Sequence, residues 1–329
     1  METFAFARAA NVEEALAQGA VPETVFLAGG TELLNWLRLG IAKPARVIDI
    51  VQLDGLANIT RLPNGGLRIG ALARLNEVAL NDIVAGEYPV LSHAVLKSAS
   101  AQLRNLATIG GNPLQKTRCG YFRAEDVLPC NKRKPGSGCS ALHGFNDKHA
   151  IFGWSEACVA VQPSDPAVAL AALDAVYVTE HKDGGRRIKI EEFYAPPADT
   201  PHIENVLRDG ELIVAVELAG AARHSAYLKL RERESYEYAI VSAAVALDLN
   251  GNRIRHARIA LGSVAYKPWR LTYAEHALAG VAVSDATTIR KALDLSLAEA
   301  KPLAHNAHKI VLAKNAAERT IRLAAGASS

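Results

Sequence analysis

The chain has 329 residues, about twice a typical domain, so its length favours two domains over one. Half of the residues are apolar and 22% are charged, which supports sizeable cores and excludes a disordered, collagen-like or coiled-coil protein. A formal charge of +3 is too balanced for a partner held by bulk electrostatics, whether nucleic acid or an anionic membrane. At the N-terminus, Glu2, Arg8, Glu13 and Glu14 interrupt the apolar stretch that an export signal needs. The longest apolar runs fall far short of the ~20 residues that cross a bilayer. Asn11 with Glu14 then resembles a helix N-cap with an acidic residue three places on, and Thr24–Ala28 reads as a short strand. Gly29 and Gly30 break that strand; the spacing predicts a helix over Thr31–Leu39, with Gly40 as its C′ residue, and a strand at Val47–Ile50.

A turn at Pro63–Gly66 precedes another short strand at Leu67–Ile69. Tyr88–Asn105 has a helical pattern that ends in a second glycine turn, Thr108-Ile109-Gly110-Gly111-Asn112-Pro113. Residues 116–150 lose all periodicity and fill with charge, Gly, Pro and Cys, the composition of a functional loop. Regular structure is expected again as a strand at Cys158–Val161, a helix at Pro166–Leu173, and a strand at Ala175–Glu180. That last strand turns at Asp183–Gly185 into Ile188–Ile190. The segment Leu218–His224 reads as the domain boundary, because two long β-type runs follow, Ala239–Leu249 and Ile254–Val264, joined at Asn250-Gly251-Asn252. The tail from Ser284 reads as two helices, the first capped by Ser284 or Asp285, so the C-terminal part is an antiparallel sheet with helices.

Leu27-Ala28-Gly29-Gly30-Thr31-Glu32-Leu33 could cradle a phosphate, since glycine lets backbone amides approach an anion at a helix start. The turn is neither G-x-G-x-x-G nor a P-loop, and for a lone Gly-Gly a plain strand-to-helix turn capped by Thr31 is the more usual reading. The second turn has the same plain alternative, but two such turns in one domain favour an anion site. Asp165, just before a helix, reads as a cap, and Lys229 reads as a solvated strand residue.

All four cysteines fall in one stretch, Cys119-x10-Cys130-x8-Cys139-x18-Cys158. Their clustering in the aperiodic loop argues for a four-thiolate metal site, and the absence of an export signal argues against disulfides. Zinc and an iron–sulfur cluster both suit four cysteines, although zinc modules usually show short C-x2-4-C pairs. His143 and His149 are possible substitute ligands, though a loop histidine is usually just solvated. From Lys116 to Lys148 there are seven Lys or Arg against three Asp or Glu, an excess of +4 that leaves −1 for the rest of the chain. That excess reads as local compensation for an anionic cluster.

These residues resemble the FAD-binding (medium) subunit of xanthine oxidase-type molybdenum hydroxylases, in which two glycine turns wrap the flavin pyrophosphate. The resemblance covers nearly the whole chain, including Pro163-Ser164-Asp165, Lys229 with Arg231, Gly262-Ser263-Val264 and Lys267-Pro268-Trp269-Arg270. Thr117-Arg118-Cys119, Pro129–Arg133 and Pro135–Cys139 are similar to the variant found in periplasmic aldehyde oxidoreductases, whose flavin subunit carries an extra [4Fe–4S] cluster. Related clusters occur in 4-hydroxybenzoyl-CoA reductase with different cysteine spacing, so only the cluster type carries over.

The resemblance implies an α+β fold: a two-subdomain, PCMH-type FAD-binding domain over residues 1–220, with the insert at about 114–158, then an antiparallel sheet with helices over 221–329. It implies that Leu27, Ala28, Gly29, Gly30, Thr31, Glu32, Leu33, Thr108, Gly110, Gly111 and Asn112 wrap the pyrophosphate and ribityl chain of FAD. Of these, Glu32 stands where relatives vary in polarity. Ser164 and Asp165 would meet the sugar and phosphate region, Ile213 in the strand Glu211–Leu218 would pack on the flavin, and Lys229 would lie near the ring. Cys119, Cys130, Cys139 and Cys158 would ligate the cluster. No catalytic acid, base or nucleophile is implied. The expected role is electron transfer within a heterotrimer. A large partner would carry the molybdenum cofactor and a small one the [2Fe–2S] clusters, with electrons passing through FAD to an external acceptor. The expected compartment is the periplasm, reached by co-export with a signal-bearing partner, with the cytoplasm as the alternative. Two rival readings are a zinc-stabilised binding module without redox activity and a free-standing flavin oxidase.

Overall fold

A computed structural model describes residues 1–326; residues 327–329 of the expected C-terminal domain lie outside the described residues. The chain opens with β1 (Ala5–Arg8), α1 (Val12–Gly19), β2 (Thr24–Leu27), α2 (Leu33–Arg38) and β3 (Arg46–Asp49), whose strands form a parallel sheet in the order β1-β3-β2. Asn11 caps α1 by accepting the Glu14 amide, as its sequence position predicts. Gly40, at φ +64°, ends α2, and the Ile41 amide reaches back to the Trp36 carbonyl in a Schellman arrangement. Strand β1 escapes the sequence pattern because it is a short edge whose Phe6 faces solvent.

The second subdomain contains β4 (Ile59–Arg61), β5 (Leu67–Gly70), α3 (Leu75–Leu80), α4 (Asp82–Glu87), α5 (Pro89–Leu96) and α6 (Ala101–Arg104). The insert carries two single turns, α7 (Gly120–Arg123) and α8 (Ser140–His143). After it come α9 (Asp165–Ala172), β6 (Val176–Glu180), β7 (Arg186–Lys189), α10 (Ile190–Phe193) and β8 (Leu212–Leu218). These strands form an antiparallel sheet in the order β4-β5-β8-β6-β7. The single helix expected over Tyr88–Asn105 is two, because Ala99 adopts φ +46° and Ser100 starts α6 by accepting the Leu103 amide. The strand expected at Cys158–Val161 does not form. Ser155 and Cys158 make an isolated bridge, and single bonds pin the segment to the loop after the later hairpin, such as Gln162 N–H to the Ala265 carbonyl at 2.9 Å.

The C-terminal unit has β9 (Ser225–Leu230), β10 (Val241–Asn250), β11 (Arg253–Gly262), β12 (Trp269–Arg270), α11 (Thr272–Ala277), α12 (Ala286–Leu297) and α13 (His308–Ala324). Its antiparallel sheet runs β12-β11-β10-β9, with the expected hairpin between β10 and β11, and Asp285 is the cap of α12. Strand β10 shows no apolar–polar alternation because both its faces are buried. Ala244 and Ala246 pack into the main core with α5 and α9, and Val241, Ala243 and Val245 into a second core with α12 and α13. Helix α9, buried on every side, is the point where the flavin-type domain and the C-terminal sheet meet.

Candidate functional site

The first glycine turn leaves β2 and enters α2 with Gly30 at φ +72°. A side chain on Gly29 would collide with the carbonyl of Leu106, so this turn lies against the backbone that leads into the second. Among the described residues the amides of Gly29, Gly30 and Thr31 donate to no protein acceptor, which leaves them free for an anion. Thr31 is not the cap that the sequence suggests: Glu32 occupies the cap position, and its side chain makes no capping bond. Instead the Glu32 carboxylate accepts from Trp36 Nε1 at 2.7 Å and pairs with Arg118 and, at 3.3 Å, with Arg123 of the insert. Leu33 is buried in a small core with Leu37 and Val47, against which Leu27 packs, and Ala28 packs on the core that holds Ile48.

The second turn is built differently, because its own amides are already used. Gly110 N–H donates to the Ala71 carbonyl at 2.9 Å, Gly111 N–H to Thr108 Oγ1 at 3.3 Å, and Asn112 N–H to the Thr108 carbonyl at 3.0 Å. A side chain on Gly110 would come within 2.6 Å of Ala71 Cβ. This turn therefore offers a ligand the Thr108 hydroxyl, the Asn112 side chain and a close backbone approach. Ser164 Oγ donates to Asn112 Oδ1 at 2.5 Å while capping α9 through the Ala167 amide, so Ser164 holds the cap position expected of Asp165.

Asp165 and Lys229 are both buried, against the reading of one as a cap and the other as solvated. Lys229 Nζ lies 2.7 Å from Asp165 Oδ2 and donates to the Lys97 carbonyl, and Tyr227 donates to Asp165 Oδ1 at 2.5 Å. Burial pushes the Asp165 carboxyl up, while Lys229 pulls it down. The structure thus brings together both turns, Ser164, Asp165 and Lys229. Ile213 is buried on the central strand β8, in the core that also holds Ile109 of the second turn. Pattern reading missed Gln162, which accepts the Ser164 amide at 2.6 Å and donates to the Pro113 carbonyl at 2.9 Å; it immediately precedes Pro163-Ser164-Asp165.

In the insert, Cys119, Cys130, Cys139 and Cys158 are free thiols lining one small pocket. The backbone amides of Phe122 and Tyr121 draw the Cys119 thiol down, and that of Ala160 draws the Cys158 thiol down, but burial outweighs them. Burial pushes the Cys119 thiol up to about 12 and the Cys158 thiol up to about 11, so both stay protonated unless a metal displaces the proton. Among the described residues no three His, Cys, Asp or Glu converge closely enough on one point to hold a single metal ion. Four thiols on one pocket are a donor set that tetrahedral zinc and an iron–sulfur cluster both take. His143 is exposed; His149 is buried with Nε2 at 3.2 Å from Cys119 Sγ.

The basic excess of the insert is only partly local compensation. Arg118 and Arg123 pair with Glu32, Lys116 and Lys132 with Glu204, and Lys148 with Glu232, so five of its seven cations are met by three carboxylates from outside it. Arg133 is spent on the carbonyls of Ala124 and Leu39.

Residues 2–219 match the FAD binding domain in molybdopterin dehydrogenase, and residues 225–324 match the CO dehydrogenase flavoprotein C-terminal domain. The chain is 46% identical to the aldehyde oxidoreductase FAD-binding subunit PaoB of Escherichia coli (strain K12), over 95% of this chain and 96% of that one. It is 28% identical to the glyceraldehyde dehydrogenase medium chain of Sulfolobus acidocaldarius, over 86% and 83%. Its fold superposes on carbon monoxide dehydrogenase from Hydrogenophaga pseudoflava with a TM-score of 0.75 at 25% identity, covering 98% and 97% of the two chains. The chain belongs to the FAD-binding domain family of molybdopterin dehydrogenases and is an FAD-binding medium subunit of a molybdenum hydroxylase-type oxidoreductase.

Proposed function

We propose that this chain is the electron-transfer subunit of a heterotrimeric, molybdenum-dependent aldehyde oxidoreductase and that it carries a [4Fe–4S] cluster beside its FAD. The observation that carries the cluster is the single cavity ringed by Cys119, Cys130, Cys139 and Cys158. The aldehyde assignment draws on the 46% identity to PaoB. FAD when bound supplies the exchange between one- and two-electron transfer. The free amides of Gly29, Gly30 and Thr31 would receive its pyrophosphate, and Thr108, Asn112 and Ser164 would hydrogen-bond it. Lys229, whose charge is met by Asp165, would lie near the ring without adding a free cation there.

In this reading a large partner holds the molybdenum cofactor and a small partner the [2Fe–2S] clusters that supply electrons, which this chain passes to an external acceptor. The compartment proposed is the periplasm, by co-export with a signal-bearing partner. Among the described residues no helix is long and apolar enough to cross a membrane.

Cys139→Ser tests the cluster. Loss of about four irons per chain with FAD retained supports it. Loss of zinc from a preparation that never held flavin supports a zinc-stabilised module instead. The isolated chain, given aldehydes and a dye acceptor, is expected to show no turnover; turnover without partners would favour a free-standing flavin oxidase.

A further inference from the structure

We propose that His149 is a hydrogen-bond donor to the sulfur of Cys119 that raises the reduction potential of the cluster held by the four cysteines. The inference rests on the four-cysteine reading above. His149 Nε2 lies 3.2 Å from Cys119 Sγ, and the ring is buried. In the free chain either partner could own the proton between them. Once Cys119 binds iron its sulfur has none to give, so the contact persists only as Nε2–H donating to sulfur. The far side of the ring agrees, because among the described residues Nδ1 is buried with no partner that competes for the proton.

The ring is held in place by residues remote in sequence. The His149 carbonyl accepts from Asn306 Nδ2 at 3.1 Å and from Lys309 Nζ at 2.8 Å, and both of those side chains are fully buried. Among the described residues Lys309 has no carboxylate partner; its other acceptors are the carbonyls of Lys148 and Ser263. Asn146 Oδ1 accepts the His305 amide at 3.0 Å, so the segment before α13 grips both ends of the short loop that carries the histidine. An N–H aimed at a ligand sulfur draws off negative charge and so favours the reduced, more negative cluster. His149 thus acts on the potential through Cys119, as a positioning and tuning residue and not as a ligand.

The test uses the full chain in three forms, wild type, His149→Phe and His149→Gln, with iron analysis and redox titration followed by electron paramagnetic resonance. Wild type and His149→Phe are expected to hold the same iron. The potential of His149→Phe should move to more negative values, and His149→Gln, which keeps an N–H donor, should recover most of the shift. Full iron with an unmoved potential in His149→Phe overturns the proposal. A second measurement needs no variant: with 15N-labelled histidine, the reduced wild-type cluster should show one weak nitrogen coupling. A coupling strong enough for an iron–nitrogen bond, or none at all, also overturns it. Wild type that binds no iron removes the four-cysteine reading itself, an outcome distinct from an iron-replete cluster indifferent to His149.

Discussion

The glycine cradle and the cysteine insert share a border at Glu32, yet they keep their shapes by different means. The cradle hangs from strand and helix ends, with β2 feeding α2 and Ser164 starting α9, and its walls are backbone against backbone at Gly29 and Gly110. The insert has only two single turns of helix and is held from outside, by Glu32 and Glu204 on its cations and by residues 305–309 on its far end. A site that depends on free amides needs a rigid scaffold so that they do not find each other. Metal–sulfur bonds, as proposed for the insert, would supply their own rigidity, and the chain around them would need only to deliver the thiols.

That contrast can be broken at the cradle most severely. Lys229→Met leaves the Asp165 carboxylate buried without its cation, and is expected to cost about 3–5 kcal/mol of stability. Denaturant unfolding of the full chain checks it, and a loss no larger than that of a surface substitution would remove the pair from the scaffold. Gly29→Ala forces a side chain into the Leu106 carbonyl, which cannot swing aside as a long side chain would. It is expected to cost about 1–3 kcal/mol and to lower the ratio of FAD to protein while leaving iron in place, a separation that compares the two sites directly.

The insert should yield to pH. Burial pushes the Glu204 carboxyl up, but Lys132 and Lys116 outweigh it and hold the group below the usual carboxylate range. A carboxyl depressed in the folded state contributes stability above its unfolded value, near about 4.3, and loses it as pH falls below that. Hydrogen exchange around residues 116–134, relative to the intrinsic rate, should therefore quicken as pH falls below about 4.3, before the α9 core responds. Glu204→Gln should show the quickened exchange at pH 6 already.

Much of this was legible in the chain. Glycines at strand ends mark the turns because few other residues can stand there, and four cysteines gathered into one aperiodic stretch mark a shared site. What escaped was set by contacts distant in sequence. Asp165 and Lys229 each look ordinary alone, and only the packing of β9 beside α9 makes them a buried pair. Ala99 breaks the helix pattern with a backbone angle that alanine does not advertise. Glu32 and Glu204 show no sign in sequence of the insert cations that they meet, and the Cys158 segment reads as a strand because its apolar residues face a cavity rather than a neighbouring strand.

Glu32 has a consequence for how such a subunit can change over time. A carboxylate beside an anion-binding turn would repel the phosphate it borders, but here two arginines of the insert over-balance it. The insert is thus the counterion of the cradle. Removing the insert while Glu32 stays would leave an uncompensated negative charge beside the turn proposed to receive the FAD pyrophosphate.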